Sequence, residues 1–365
     1  GHVAFFRAYV DDFGAGPLAN LEVAADAVVQ AAARGHALMV DHLISSFGDE
    51  IILGPCAAND TPLHIAARSC HARTCEVILQ RGFEAGRPRN FRCVGSMRNA
   101  PRTSVLDAKD PKGATALARA ARGGCSEIVE LLLAWRADAS AADSFGLLPL
   151  HHASFYGPKQ VIERLISTTG PAAVKSADRN GQTSLHIAAR YGHAAVVAAL
   201  LNSAPRHSSA LGSSRDATSL APGDIAASSG HEPVIDALIS ANALTHEALH
   251  WASYNGHLGV VLRILQSESG SPSLKGRLLQ RDRRMSATAL HFAVGGGHAS
   301  IVTQLLEMAS SKLTKESLDR EILQATDSSG RTPLDVARLR GFKALEDVLA
   351  LAFKQQRRGR MESEL

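Results

Sequence analysis

One short signature recurs along this chain, and no other feature limits the fold as strongly. Its fullest copy runs from Asp178 to Leu201, DRNGQTSLHIAARYGHAAVVAALL. Asp178 and Gly181 stand at the first and fourth positions of a type I turn. Thr183 follows, a residue whose hydroxyl can accept one of the free N–H groups at a helix start. Leu185, Ile187, Ala188 and Ala189 then form an apolar stretch too short for a free-standing helix. Gly192 tolerates the left-handed conformation that ends such a helix. Val196, Val197, Leu200 and Leu201 place an apolar stripe on a second helix. Two helices this small cannot bury their apolar faces alone, so the segment needs neighbours of its own kind.

The neighbours are present. Leu185 and His193, eight residues apart, recur as Leu63 with His71, Leu249 with His257, and Leu290 with His298. Weaker copies keep the spacing at Val28 and His36, Leu117 and Cys125, Leu150 and Pro158, Gly223 and His231, and Leu334 and Phe342. That makes nine units, and each is followed by a segment with the apolar spacing of a half-buried helix, such as EIVELLL at 127–133. Hydrophobic residues make up 45% of the chain and aromatics 5%. Such a balance suits stacked Ala-rich helices better than one large aromatic core.

With T-P-L-H, then A-A, then G-H at a period near ~33 residues, the chain resembles the ankyrin-repeat family. The resemblance covers about Val23 to Phe353. It implies an all-α solenoid of stacked helix-turn-helix units with β-turn fingers. Residues 1–22 are expected to be a lead-in or the remnant of a preceding domain, 23–353 the solenoid, and 354–365 a polar tail. Three inserted loops are expected, at 85–106 (arginine-rich), 203–216 (serine-rich and flexible) and 266–284. The sixth unit reads poorly, with APGD at 221–224 in place of T-P-L-H. A finger is missing before the seventh, so the stack is expected to bend or lose cooperativity there.

Composition excludes some classes. A net charge of +4 does not by itself imply nucleic acid. The arginines of the inserted loops interleave poorly with aromatics, so nucleic acid is not the expected partner. No apolar run approaches the ~18 residues of a membrane span. Five cysteines, at 56, 70, 75, 93 and 125, contain no C-x-x-C pair. They read as reduced thiols, implying a cytoplasmic or nuclear location. The chain begins at Gly1, which leaves room for a preceding segment.

Eleven of the sixteen histidines fall in the T-P-L-H and G-H slots. The resemblance gives them a structural role, hydrogen bonds that tie turn to helix. His246-Glu247-Ala248-Leu249-His250 matches the zinc-protease pattern H-E-x-x-H, but Leu249 and His250 already belong to the seventh unit's frame. Cys70 beside His71 lacks the geometry of a catalytic pair. Gly295-Gly296-Gly297 sits at a helix reversal and is no phosphate loop. Neither catalytic, cofactor nor metal residues are therefore expected.

The resemblance places the two residues before each G-H on the concave face, beside the fingertips. That row carries Arg122, Phe155, Tyr156, Arg190, Tyr191 and Tyr254, with Phe145 and Arg179 on the fingers. Tyrosine and arginine are enriched at binding hot spots. The expected function is a non-catalytic, monomeric scaffold or adaptor that holds another protein or a peptide and no small-molecule substrate. The alternatives are a regulatory or substrate-recruiting segment of a larger enzyme of the ubiquitin-ligase or kinase type, and a zinc hydrolase using residues 246–250.

Overall fold

The computed structural model describes residues 21–54, 60–84, 87–88, 90–91, 103–267, 273–314 and 317–361. The lead-in up to residue 20, most of the arginine-rich insertion, and residues 362–365 of the tail lie outside the described residues. The chain divides into two compact units, 1–187 and 188–365.

Every anchor pair falls on a pair of helices. In the first unit these are Leu21–Ala33 with Ala37–Phe47, Pro62–Arg68 with Ala72–Gly82, Ala116–Gly123 with Ser126–Ala134, and Pro149–Ser154 with Lys159–Thr169. The division falls inside the next helix, Ser184–Arg190, whose partner is Ala194–Asn202. The second unit continues with Pro222–Ser229 and Glu232–Ser240, Ala248–Asn255 and Leu258–Gln266, Ala289–Gly296 and Ala299–Lys312, and Pro333–Arg340 and Lys343–Met361. Within each unit, first helices pack on first helices and second helices on second helices. The core is the seam between them. Leu63, Leu117 and Leu150 are buried in the first unit, and Leu249, Leu290 and Val261 in the second.

The local chemistry explains why such short helices hold. Thr61, Thr115 and Thr332 cap their helices by accepting the N–H of the third helical residue. Asp110, Asp143, Asp178, Asp216 and Asp327 open the fingers. In each, one carboxylate oxygen accepts two backbone N–H groups, for Asp178 those of Asn180 and Gln182, both at 2.8 Å. Neighbouring fingers are joined by backbone bonds, Ser144 N–H to the Lys112 carbonyl at 2.8 Å and Arg179 N–H to that of Phe145 at 2.9 Å.

Several expectations change. The serine-rich 203–216 segment is not a loop throughout. It holds a 3-10 turn at Pro205–His207 and the helix Ser208–Gly212, because Ala204 and Leu211 are buried and the serine hydroxyls donate to nearby carbonyls. The described residues of the arginine-rich insertion form short antiparallel ladders, Arg87–Pro88 with the preceding Phe83–Glu84 and Asn90–Phe91 with Thr103–Ser104. The segment 266–284 contains the helix Ser273–Leu279, and the last helix runs on to Met361. The sixth pair is well formed. Asp224 stands in the histidine slot, accepts the Ala221 N–H at 2.9 Å and takes a hydrogen bond from Thr245 Oγ1 at 2.7 Å.

Candidate functional site

The slot histidines show what fixes the surface. His64, His151, His250 and His291 are each at most 4% exposed. Their Nε2–H groups donate forward to the carbonyls of Ala114, Ser176, Gln280 and Arg331 at 3.0–3.1 Å. In His151 and His291 the other ring nitrogen accepts a backbone N–H, from Leu148 and Thr288. Both bonds together require the neutral ring. Burial lowers the pKa of all four below the ordinary 6.5, against the weaker opposing pull of the carbonyls they bond.

The second set reaches backward. His71, His231, His257 and His298 donate from Nε2 to the carbonyls of Ala33, Arg190, Ser228 and Tyr254 at 2.9–3.2 Å. Those carbonyls belong to the first residue of the row, so the histidine of each following pair satisfies the helix end that presents the row. The glycine between must stay bare. A Cβ on Gly192, Gly230 or Gly256 would meet the next histidine ring at 2.8, 2.7 and 2.6 Å, and each has φ above +70°.

The second and third pairs break this pattern, and here the reduced-thiol expectation fails. Cys70 replaces the glycine, at φ 59°, and Cys125 replaces the histidine. The two positions that touch elsewhere as glycine and imidazole are joined here as a disulfide, Cα to Cα 5.3 Å. Cys75 is a buried free thiol whose pKa is pushed up to about 12 by desolvation. With Cys70 and Cys125 bonded, cysteine usage no longer argues for a reducing compartment.

On the row itself, the first unit brings Arg122 and Phe155 together, the guanidinium carbon lying 4.9 Å from the ring centroid. Tyr156 beside them is 66% exposed, and the fingertip Phe145 is 53% exposed. Arg179 is exposed on the adjoining finger. In the second unit Arg190 and Tyr191 are exposed, and the Tyr191 ring stacks on His193 at 6.4 Å. Tyr254 packs edge-on against Phe292 at 6.3 Å.

The H-E-x-x-H segment is otherwise engaged. The helix begins at Ala248, so His246 and His250 do not share a helical face. The Glu247 carboxylate pairs with Arg215 at 2.9 Å and Arg283 at 3.3 Å. Among the described residues, no group of three or more His, Cys, Asp or Glu side chains could hold a metal ion. No helix described is long and apolar enough to cross a membrane.

Of a groove of about 480 Å³ in the second unit, sequence reasoning names only Tyr254 as a site residue. Trp251, Tyr254, Phe292, Met285 and Leu339 wall it, with Gly295 between them. A smaller cleft of about 220 Å³ shares Trp251 and Phe292 and is bordered by Arg215, Arg283 and Arg284. One signal was available. The residue after the histidine slot is isoleucine at positions 65, 187 and 225, but Trp251 and Phe292 in the seventh and eighth pairs.

Stacked helix pairs with a fixed, solvent-facing row define a repeat protein of the interaction type, one whose surface is presented and not enclosed. The repeats between residues 58 and 210 are ankyrin repeats. Ankyrin family models match residues 58–87, 92–173 and 117–210. The chain is 32% identical over 136 residues to palmitoyltransferase AKR1 of Lachancea kluyveri, covering 33% of this chain and 18% of that protein. It is 38% identical over 96 residues to the tyrosine-protein kinase Shark of Drosophila melanogaster, 26% of this chain and 10% of the kinase. Ankyrin repeat domain-containing protein 63 of Homo sapiens is 33% identical over 99 residues, 27% of this chain and 26% of that protein. The matched stretches thus span about a quarter or less of these relatives. Ankyrin repeats are protein-binding modules and not in themselves catalytic.

Proposed function

We propose that this chain is a non-catalytic scaffold or adaptor, monomeric, which holds another protein or a peptide on the row and fingertips. One observation carries the reading. Three of the four tyrosines stand on the row, and Tyr156, Tyr191 and Tyr254 are 66%, 50% and 41% exposed. The stack below them is already closed by buried leucines and histidine bonds, so folding does not require large rings here. Exposed rings beside arginine offer contact area and directed hydrogen bonds to a partner. Arg122, held over Phe155, supplies the same chemistry in the first unit.

The test is capture of the native partner by wild type and by variants carrying Tyr156→Ala, Arg190→Ala and Tyr191→Ala. Helicity is expected to stay intact while capture falls at least about tenfold, the loss of ~1.4 kcal/mol of binding. Capture at unchanged affinity refutes the assignment. A second reading, a recruiting segment of a larger enzyme, draws on the relatives, since a palmitoyltransferase and a kinase match through their repeats. The length of the native reading frame separates the two.

A further inference from the structure

The groove between Trp251 and Leu339 has an unusual floor. Gly295 is the next-to-last residue of the helix Ala289–Gly296, where glycine costs up to about 1 kcal/mol relative to alanine. Packing does not require it, because a Cβ there would meet nothing within 4 Å. Its neighbour Gly296 is the opposite case, where a Cβ would come within 2.2 Å of the Tyr254 carbonyl oxygen. The fold therefore needs a bare residue at 296 but not at 295. The missing side chain leaves this part of the groove open, and the groove as a whole holds about 480 Å³ between aromatic and aliphatic walls. Met285 and Leu339, at 50% and 68% exposed, stand on its edges. That volume accepts at least one large side chain together with part of the backbone that carries it.

The rim charge says what kind of chain. Arg215, Arg283, Arg284, Arg331 and Arg340 border the groove and its adjoining cleft. Three acids stand among them and all are engaged. Glu247 pairs with Arg215 and Arg283, Asp327 with Arg331, and Asp282 accepts the backbone N–H groups of Arg284, Met285 and Ala287. Arg284 and Arg340 pair with no carboxylate among the described residues, so the border carries a surplus of positive charge.

We propose that this groove docks an acidic segment of a partner protein, one large apolar side chain seated over Gly295 and flanking carboxylates paired with Arg284 and Arg340. The proposal rests on the interaction-module reading; the groove shares Tyr254 with the row but contains no residue of the Arg122–Tyr156 cluster. The aromatic walls take the apolar anchor, and the exposed part of the border supplies orientation and steering.

The test is fluorescence polarisation on the full chain with synthetic peptides. Each carries a central Trp, Phe or Leu flanked by Asp and Glu; controls replace the acids by Lys, or the anchor by Ala. The acidic anchored peptides are expected to bind, with both controls at least about tenfold weaker. Gly295→Leu fills the groove without a steric conflict in its own helix, so binding falls at least about tenfold while the thermal midpoint holds or rises. Arg284→Glu with Arg340→Glu weakens binding to a similar degree and flattens its salt dependence. Unchanged affinity in Gly295→Leu overturns the proposal, as does equal binding of Lys-flanked peptides or absence of binding by the whole set at about 1 mM. A single-stranded oligonucleotide runs alongside, since aromatic rings and arginine also hold nucleic acid. Tighter binding of it, lost in Gly295→Leu, overturns the peptide assignment. The titration with Tyr156→Ala separates the two surfaces. A loss there equal to that in Gly295→Leu assigns the peptide to the Arg122–Tyr156 cluster and overturns the groove, whereas failure of native-partner capture alone touches only the scaffold reading.

Discussion

Opening the Cys70–Cys125 bond removes a constraint that, among the described residues, no other repeat junction carries. The bond closes a sequence separation of 55 residues. Loop-closure entropy for a loop of that length gives about 4 kcal/mol of stabilisation. The Cα separation of 5.3 Å lies in the ordinary range for a disulfide, so no displacement of the two reversals needs to be subtracted. One term does act against it. Cys70 sits at φ 59°, a conformation that costs a non-glycine residue roughly 1–2 kcal/mol. Cys70→Gly removes bond and backbone cost together and should destabilise by about 2–3 kcal/mol. Adding Cys125→His puts the imidazole back in the slot where it would donate to the Arg68 carbonyl, as its counterparts do elsewhere, and should recover about 1 kcal/mol. The assay is urea unfolding followed by Trp135, which packs edge-on against Phe83 at 4.6 Å in the third pair. A Trp251→Phe background leaves that indole as the sole reporter of the two tryptophans. Local reporting matters because a repeat array need not unfold as one unit. Peptide mapping without reductant supplies the control: Cys70 and Cys125 appear linked, and Cys75, held protonated by burial, stays unlabelled until the chain unfolds. If Cys70 and Cys125 alkylate freely in the folded protein, or Cys70→Gly leaves the midpoint unchanged, the reasoning is wrong.

Two further outcomes follow from the histidine junctions. Gly256→Ala combines φ +84° with a Cβ 2.6 Å from the His298 ring, and should cost about 2–3 kcal/mol in urea unfolding; an unchanged midpoint would refute the close approach. The buried neutral rings of His64, His151, His250 and His291 set a pH dependence. Their folded values lie below 6.5, so as pH falls the unfolded chain takes up protons first. Their stabilisation is therefore complete above pH 6.5 and is lost below it, with a slope approaching about 1.4 kcal/mol per pH unit for each ring. Urea midpoints that do not fall between pH 7.5 and 5.5 would contradict this.

Most of the frame was legible because each unit repeats the same physical problem. Thr183, Leu185 and Gly192 predict a cap, a buried anchor and a helix end, and the same columns predict the helix pairs from Val28 to Leu334. The exposed positions of Tyr156, Tyr191 and Tyr254 were legible for the same reason, since the column before G-H faces outward wherever the frame is kept. The disulfide was not, because a cysteine count and C-x-x-C spacing look for partners nearby, whereas Cys70 meets Cys125 through the stacking of two units. Asp224 misled in another way. The slot asks for a side chain that bonds its own helix start and the next connection, and a carboxylate meets that demand as well as an imidazole. The serine-rich 203–216 segment was read from composition, while its helix is decided by the burial of Ala204 and Leu211.

The departures from the columns are not all of one kind, and their packing distinguishes them. Cys70 and Cys125 depart together and meet, so their exchange is answered within the fold. Asp224 departs alone and is answered by Thr245. Trp251 and Phe292 replace aliphatic residues and partly answer each other, with ring centroids 6.3 Å apart. Gly295 is answered by nothing, for no atom beyond its own helical turn comes within 4 Å of where its Cβ would be. The propensity given up at Gly295, up to about 1 kcal/mol, is met by no contact from outside its own helical turn, which is what the occupant proposed above requires. For that reason the unfilled column at Gly295 points to a partner more directly than an exposed tyrosine does, since a tyrosine on the row can also lie against its neighbours.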